Sequence, residues 1–242
     1  LAGQQGDHMS VKNENTVLIY SRWFLIVTCI FITSLITSNI IASKLIVVLG
    51  LVMPAGVIVF PISYIAGDVL TEVYGYSRAR QVIWLGFLCN AMAVLAIWGG
   101  QELPPAPFWK GQGAYEQILG FTPRLLLASF LAYLMGEFAN SFVLAKMKIG
   151  TQGRWLWTRT NGSTVVGQGL DSLVFIAVAF AWAVPPAALL SMVVTQWLVK
   201  SLYEILATPF TYLVVGFLKR EEGCDVYDYE TRFSPLFLFG KR

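Results

Sequence analysis

The sequence predicts an all-α, polytopic membrane protein with six transmembrane helices, on three observations. Of 242 residues, 56% are hydrophobic and 13% charged, with a mean hydropathy of +0.64; a soluble domain of this length is far less apolar. Six apolar segments are long enough to cross a hydrocarbon core about 30 Å thick. The cations fall almost entirely in alternate connections between those segments, the pattern expected of a chain that crosses a membrane repeatedly.

The opening LAGQQGDHMS has the composition of a cleaved linker and cloning scar, so residues 1–10 are set aside as an expression-tag remnant. Residues 11–220 then form a six-span transmembrane domain and residues 221–242 a cytoplasmic C-terminal tail. The exclusion removes His8, the chain's one histidine, and with it any imidazole proton relay or histidine metal ligand. Cys29, Cys89 and Cys224 have no CxxC spacing and read as inert apolar side chains. No metal and no cofactor are therefore expected. The net charge of +3 comes from loops and tails, which makes it a sign of topology and not of a nucleic-acid surface.

The spans are placed at Tyr20–Ser43, Val57–Gly75, Gln81–Gly99, Pro123–Lys146, Gly162–Val184 and Pro186–Leu218. The last is long enough for two pieces, and Pro209 lacks a backbone donor, so a kink or break is expected there. Lys12, Arg22, Arg78, Arg80, Lys146, Lys148, Arg154, Arg159, Lys219, Arg220, Arg232, Lys241 and Arg242 lie on one set of connections, against Lys110 and Arg124 on the other. Both termini are accordingly expected in the cytoplasm. The external loop GQELPPAPFWKGQGAYEQILGFTP suits a lid or a short interfacial helix around Tyr115–Leu119, with Phe108 and Trp109 at headgroup level.

Polar residues inside the spans point to function. The stretch FPISYIAGDVLTEVYG places Tyr64, Asp68 and Glu72 one helical turn apart on a single face. A charged residue at the centre of a lipid-embedded helix costs about 2.5–3.5 kcal/mol on insertion, so that face is expected to look inward. The first span carries Asn39 beside the small-residue stripe Ser34, Ser38 and Ala42, which suits close helix packing. Lys44 near its end suits snorkelling to the interface. The fourth span offers Tyr133, Glu137, Asn140 and Ser141, with Gly136 admitting a neighbouring backbone. The fifth offers Thr164, Gln168 and Asp171, and in the sixth Gln196, Lys200 and Glu204 recur every four residues. Lys44 and Lys200 can pair with at most two of the five acids. The remainder argue for a ligand-lined cavity or for acids held neutral.

Asn39, Tyr64, Asp68, Glu72, Glu137, Asn140, Gln168, Asp171, Gln196 and Lys200 are therefore the candidate substrate-binding residues, expected to converge near the bilayer midplane. Lys200 has two candidate partners: Glu204 one turn away, or a carboxylate of another span. Carboxylates with amides and tyrosine suit a neutral or cationic heterocycle bearing several N–H groups better than an anion. No phosphate-cradling loop and no nucleophile–base pair suggests an enzyme.

The blocks FPISYIAGDVLTEVYG with SRARQVIW, ASFLAYLMGEFANSFVLAKMK, NGSTVVGQGLDSLVFIAVAF, QWLVKSLYEILATPFTYLVVGFLKR and the tail DVYDYETRFSPL resemble the YhhQ-type queuosine precursor transporters, of the vitamin uptake transporter kind. The resemblance covers nearly the whole chain after residue 25. It implies a six-helix inner-membrane importer of 7-deazaguanines, with a fold similar to the substrate-binding (S) components of vitamin importers. The aspartate of the second span and the amide–Asp pair of the fifth fall on Asp68 and on Gln168 with Asp171, where some relatives carry Asn at the position of Gln168. Whether the substrate is 7-cyano-7-deazaguanine, 7-aminomethyl-7-deazaguanine or queuine stays open, as do a homodimer and an ATPase module as partners. The alternatives are a substrate-capture subunit of an ATP-driven vitamin importer, docking through Ser34, Ser38 and Ala42, a proton-coupled carrier of another small heterocycle, or an ion channel built on the same acids.

Overall fold

The computed structural model describes residues 21–48, 51–120, 123–180, 185–229, 231 and 233. The tag-like leader, Lys12, Tyr20, Val184, Arg232, Lys241, Arg242 and the tail beyond Phe233 lie outside the described residues. The chain is a bundle of apolar helices, with one short hairpin added near its start.

Helix α1 (Arg22–Ile41) begins at Ser21, whose hydroxyl accepts a 3.1 Å bond from the Phe24 amide and so satisfies one of the unpaired donors of the first turn. Its buried stripe of Phe24, Val27, Phe31 and Leu35 packs on the next two helices. Strands β1 (Leu45–Val48) and β2 (Leu51–Pro54) then pair antiparallel, Leu45 opposite Pro54. This hairpin stands in what the sequence reading left as a connection. The runs LIVV and LVMP are rich in β-branched residues and flank Gly50, which is a hairpin signal.

A 3₁₀ turn, Ala55–Ile58, leads into α2 (Phe60–Tyr74), entered through Pro61. At 15 residues α2 is about 22 Å long, short of the hydrocarbon thickness. Among the described residues, five other helices are long and apolar enough to cross a membrane. Helix α2 survives with polar side chains because it is enclosed: twelve of its residues are buried, against α1, α3 (Tyr76–Glu102), α5 (Pro123–Gly150) and α7 (Pro186–Glu222). With α6 (Leu156–Phe180), six helices among the described residues match the expected spans in order and position, and the short helix α4 (Gln112–Leu119) stands between α3 and α5.

Gly75 alone joins α2 to α3, at φ +84°, a conformation that side chains other than glycine's seldom adopt. A Cβ there would also lie 2.7 Å from Val226 Cγ1. The closest helix approach is between α5 and α6, where a Cβ on Gly167 would lie 2.9 Å from Gly136 O and 2.7 Å from Asn140 Cβ. Gly136 admits its neighbour as the sequence suggested. Helix α7 continues unbroken through Pro209. Ser34 and Ser38 are buried, and Ser38 O would be 2.5 Å from a Cβ on Gly56. The two serines of the small-residue stripe are thus used inside the bundle, while Ala42 is half-buried.

The start of α1, the junction of α2 and α3, the end of α5, the start of α6 and the end of α7 gather at one end of the bundle. Phe24 meets Tyr74 edge to face there, Trp23 meets Phe217 likewise, and the ion pairs described below join the same helix ends. Consecutive spans therefore run antiparallel. The described part of the tail folds back on the bundle. The Val226 amide donates to Val73 O, and Asp228, buried, accepts a 2.9 Å bond from the Tyr76 amide at the start of α3.

Candidate functional site

Three polar layers lie along the bundle, and they differ in how their charges are met. The first is a cavity of about 570 Å³, bordered by α1, α3, α5, α6 and α7 and by the entry to α2. Its wall is mostly apolar, and among the residues that border it are Phe60, Tyr133 and Phe175. Asn39 donates a 3.1 Å bond to Asn90 Oδ1, Gln168 of α6 and Gln196 of α7 both border the cavity, and Asp171 forms an ion pair with Lys200. The lysine also lies 4.9 Å from the centroid of the Phe60 ring. Of the two candidate partners for Lys200, the cross-helix carboxylate is the one it meets. Glu204 borders the cavity one turn further on.

The second layer lies behind that wall. Asp68 is buried and accepts a 2.7 Å bond from Asn140 Nδ2. Among the described residues Asp68 Oδ2, Asn140 Oδ1, the Tyr64 hydroxyl and both oxygens of Glu137 have no hydrogen-bond partner. A Cβ on Gly67 would come within 3.0 Å of Glu137 Oε2, and one on Gly136 within 3.1 Å of the Tyr64 hydroxyl. These contacts set Tyr64, Asp68 and Glu137 side by side where α2 crosses α5.

The third layer closes the other end. Glu72, fully buried, accepts 2.7 Å bonds at Oε1 from Arg159 and from Lys219, with Lys148 3.8 Å away. Lys148 also donates to Glu72 O and, at 2.7 Å, to Val226 O, and it pairs with Asp225. Lys219 reaches Asp225 at 2.9 Å. Burial pushes the Asp225 carboxyl up, but hydrogen bonds and charge from Lys148 and Lys219 outweigh it and hold it below the usual carboxylate range. A buried carboxylate is tolerable with partners this close and this many.

Of the ten candidate residues, the structure places Asn39, Gln168, Asp171, Gln196 and Lys200 on the cavity wall, and Tyr64, Asp68, Glu72, Glu137 and Asn140 away from it. Convergence on one cavity is corrected to that extent. The face of α2 that carries the acids turns toward α5 and α7, and Glu72 lies near enough to the helix end for cations flanking the spans to reach it. Sequence reasoning missed Asn90, a lone amide in the apolar stretch GFLCNAMAV, and passed over Glu204. It also took Lys148, Arg159 and Lys219 as markers of orientation only. Lys44, by contrast, is exposed as expected.

Residues 54–214 match the family model described as "Putative vitamin uptake transporter". The chain is similar to a Bacillus subtilis (strain 168) protein named "Probable queuosine precursor transporter", 30% identical over 188 residues that cover 77% of this chain and 82% of the relative. It is also similar to the "Queuosine precursor transporter" of Escherichia coli (strain K12), 29% identical over 165 residues, or 68% of this chain and 70% of that one. No solved structure matches the chain. The expected likeness to the binding components of vitamin importers thus has no solved fold behind it.

Proposed function

The chain belongs to the vitamin uptake transporter family, and on that premise we propose that it imports queuosine precursors, 7-deazaguanine bases, across the inner (plasma) membrane for tRNA modification. The names of its relatives support the substrate class. The observation that carries the reading is the Asp171–Lys200 pair on the wall of a largely apolar cavity. A deazaguanine presents an N–H/NH₂ edge that one carboxylate can accept in two hydrogen bonds and a flat face that suits Phe60, Tyr133 or Phe175. A cavity of about 570 Å³ falls in the range of small-molecule sites.

The substrate would take the carboxylate of Asp171 from Lys200. Such an exchange of partners supplies the difference in free energy between empty and loaded states that transport requires. The alternative of a capture subunit loses support, since Ser34 and Ser38 of its docking stripe are buried within the bundle. The cation distribution and the antiparallel spans support cytoplasmic termini, with the Glu72 layer at the cytoplasmic end. The bulk of the chain to residue 220 would form the transport domain and residues 221–242 the cytoplasmic tail.

Purified protein in liposomes, with no other protein present, is expected to exchange labelled 7-cyano-7-deazaguanine, and competition by 7-aminomethyl-7-deazaguanine and queuine ranks the precursors. Absence of exchange for all three overturns the reading. Reporter fusions after residues 105 and 155 are expected to report opposite sides of the membrane.

A further inference from the structure

The second layer is not used by the substrate reading. Asp68, Glu137 and Glu204 are each buried and, among the described residues, none has a cation within ion-pair distance, whereas Glu72 has three and Asp171 has Lys200. Glu137 is the extreme case, with no exposure and neither oxygen hydrogen-bonded. Inside a bilayer an unpaired carboxylate is prohibitively costly, and such a group takes up a proton instead.

We propose that Glu137, with Asp68 and Glu204, is a proton-binding site that couples substrate uptake to proton entry, an inference that rests on the transport reading above. Every element packed near Glu137 contributes to its surroundings. From α2 come Tyr64 and Asp68, from α6 Asp171, and from α7 its partner Lys200 and Glu204; Tyr133 lies one turn earlier on α5, with Cys89 of α3 beside it. The buried and unpartnered Tyr64 hydroxyl reaches α5 at Gly136, next to Glu137. It places a donor and acceptor close to Glu137, without a hydrogen bond between the two.

Glu204 gives the layer its access. It borders the cavity, and it lies within electrostatic reach of Asp68 and Glu137. A proton entering from the cavity meets Glu204 first and settles on the inner acids. A metal ion in the same place would need several oxygens converging on one point, and among the described residues no three acidic, histidine or cysteine groups come together in that way. With the acids neutral, the bundle can rearrange around a loaded cavity without carrying unpaired negative charge through the membrane. Without the proton, each such charge opposes the change.

The test uses the full chain in liposomes that trap the pH dye pyranine, with 7-cyano-7-deazaguanine added outside. Substrate addition is expected to acidify the interior. With the outside one pH unit more acid and the membrane potential held at zero by potassium and valinomycin, substrate is expected to accumulate about tenfold if one proton enters with each molecule. Glu137→Gln is expected to abolish both effects and to make the exchange rate independent of pH; Glu204→Gln is expected to slow proton entry. Exchange by the parent with no acidification overturns the proposal and leaves the transport reading standing, as does accumulation driven by a sodium gradient in place of a pH gradient. Absence of any exchange overturns both. Should Glu137→Gln fail to fold, Glu204→Gln decides, and proton entry unchanged from the parent overturns the proposal.

Discussion

Asp68 and Glu72 stand one turn apart on the same face of α2, and the protein treats them in opposite ways. Glu72 is gripped by Arg159 and Lys219 with Lys148 close by, all drawn from the ends of other helices. Asp68 has one amide, Asn140, and a second oxygen with no partner among the described residues. The two carboxyls have the same chemistry and the same depth of burial, so neither property explains the difference. Position along the helix does. Glu72 is close enough to the end of the bundle for cations anchored there to reach it, and Asp68, some 6 Å further in, is not. A buried acid at a helix end can serve as a structural clamp, whereas one turn deeper it must be neutral or in use.

The largest expected effect breaks the clamp. Glu72→Gln leaves Arg159 buried without its counter-ion and Lys148 with Asp225 alone, and should cost about 3–5 kcal/mol of stability, read as a large drop in melting temperature in detergent. An unchanged melting temperature would show that the cluster holds nothing together.

The next in size concerns the pair on the cavity wall. Lys200→Met strands Asp171 in a site that is still partly wetted, with an expected loss of about 1–3 kcal/mol. Adding Asp171→Asn should recover most of that loss, and adding Glu204→Gln should recover none. A double-mutant cycle measures the coupling directly; coupling to Glu204 instead would undo the assigned pairing.

Asp68→Asn sharpens the contrast from the other side. The substitution keeps a polar group of similar shape and removes a carboxyl that has no cation, so stability should stay within about 1 kcal/mol of the parent. A loss matching that of Glu72→Gln would mean that both acids are clamps.

The smallest effect belongs to Asp225, which joins the cluster at its exposed rim with a carboxyl 41% accessible. Its folded-state pKa is depressed from the ordinary value of 3.8. The stabilisation is thus fully present above that ordinary value and is lost as pH falls through the lower folded one. Solvent screening limits it to a few tenths of a kcal/mol. The melting difference between parent and Asp225→Asn should be flat from pH 7 to pH 5 and close below about pH 4. A difference that widened on acidification would contradict the depressed carboxyl.

Much of this was legible in the chain. Apolar segments of spanning length announced helices because a bilayer leaves the backbone few other ways to satisfy its hydrogen bonds. Gly136 announced a close approach, and the alternation of cations matches the alternation of helix directions. The hairpin at 45–54 was signalled by β-branched runs around Gly50 but was hidden by the strength of the neighbouring helical pattern. The site was half legible. Asn39, Gln168, Asp171, Gln196 and Lys200 stood out as polar residues in apolar runs and lie together on the cavity wall. Asn90 carried the same signal more faintly, as a single amide.

The amino-acid sequence by itself determined the all-helical membrane architecture, the order of the spans and the list of side chains that hydrocarbon would reject. Those depend on composition and period, which are local. Only the tertiary structure decided which rejected side chain meets which: that Lys200 reaches across to Asp171 and not along its own helix to Glu204, that loop-end cations turn inward to Glu72, and that the tail folds back so that Asp228 caps α3. The physical reason is that partner choice depends on the rotation and depth of one helix against another. These are set by contacts such as Gly136 on Gly167 between segments far apart in the chain, and no periodicity within a single span encodes them.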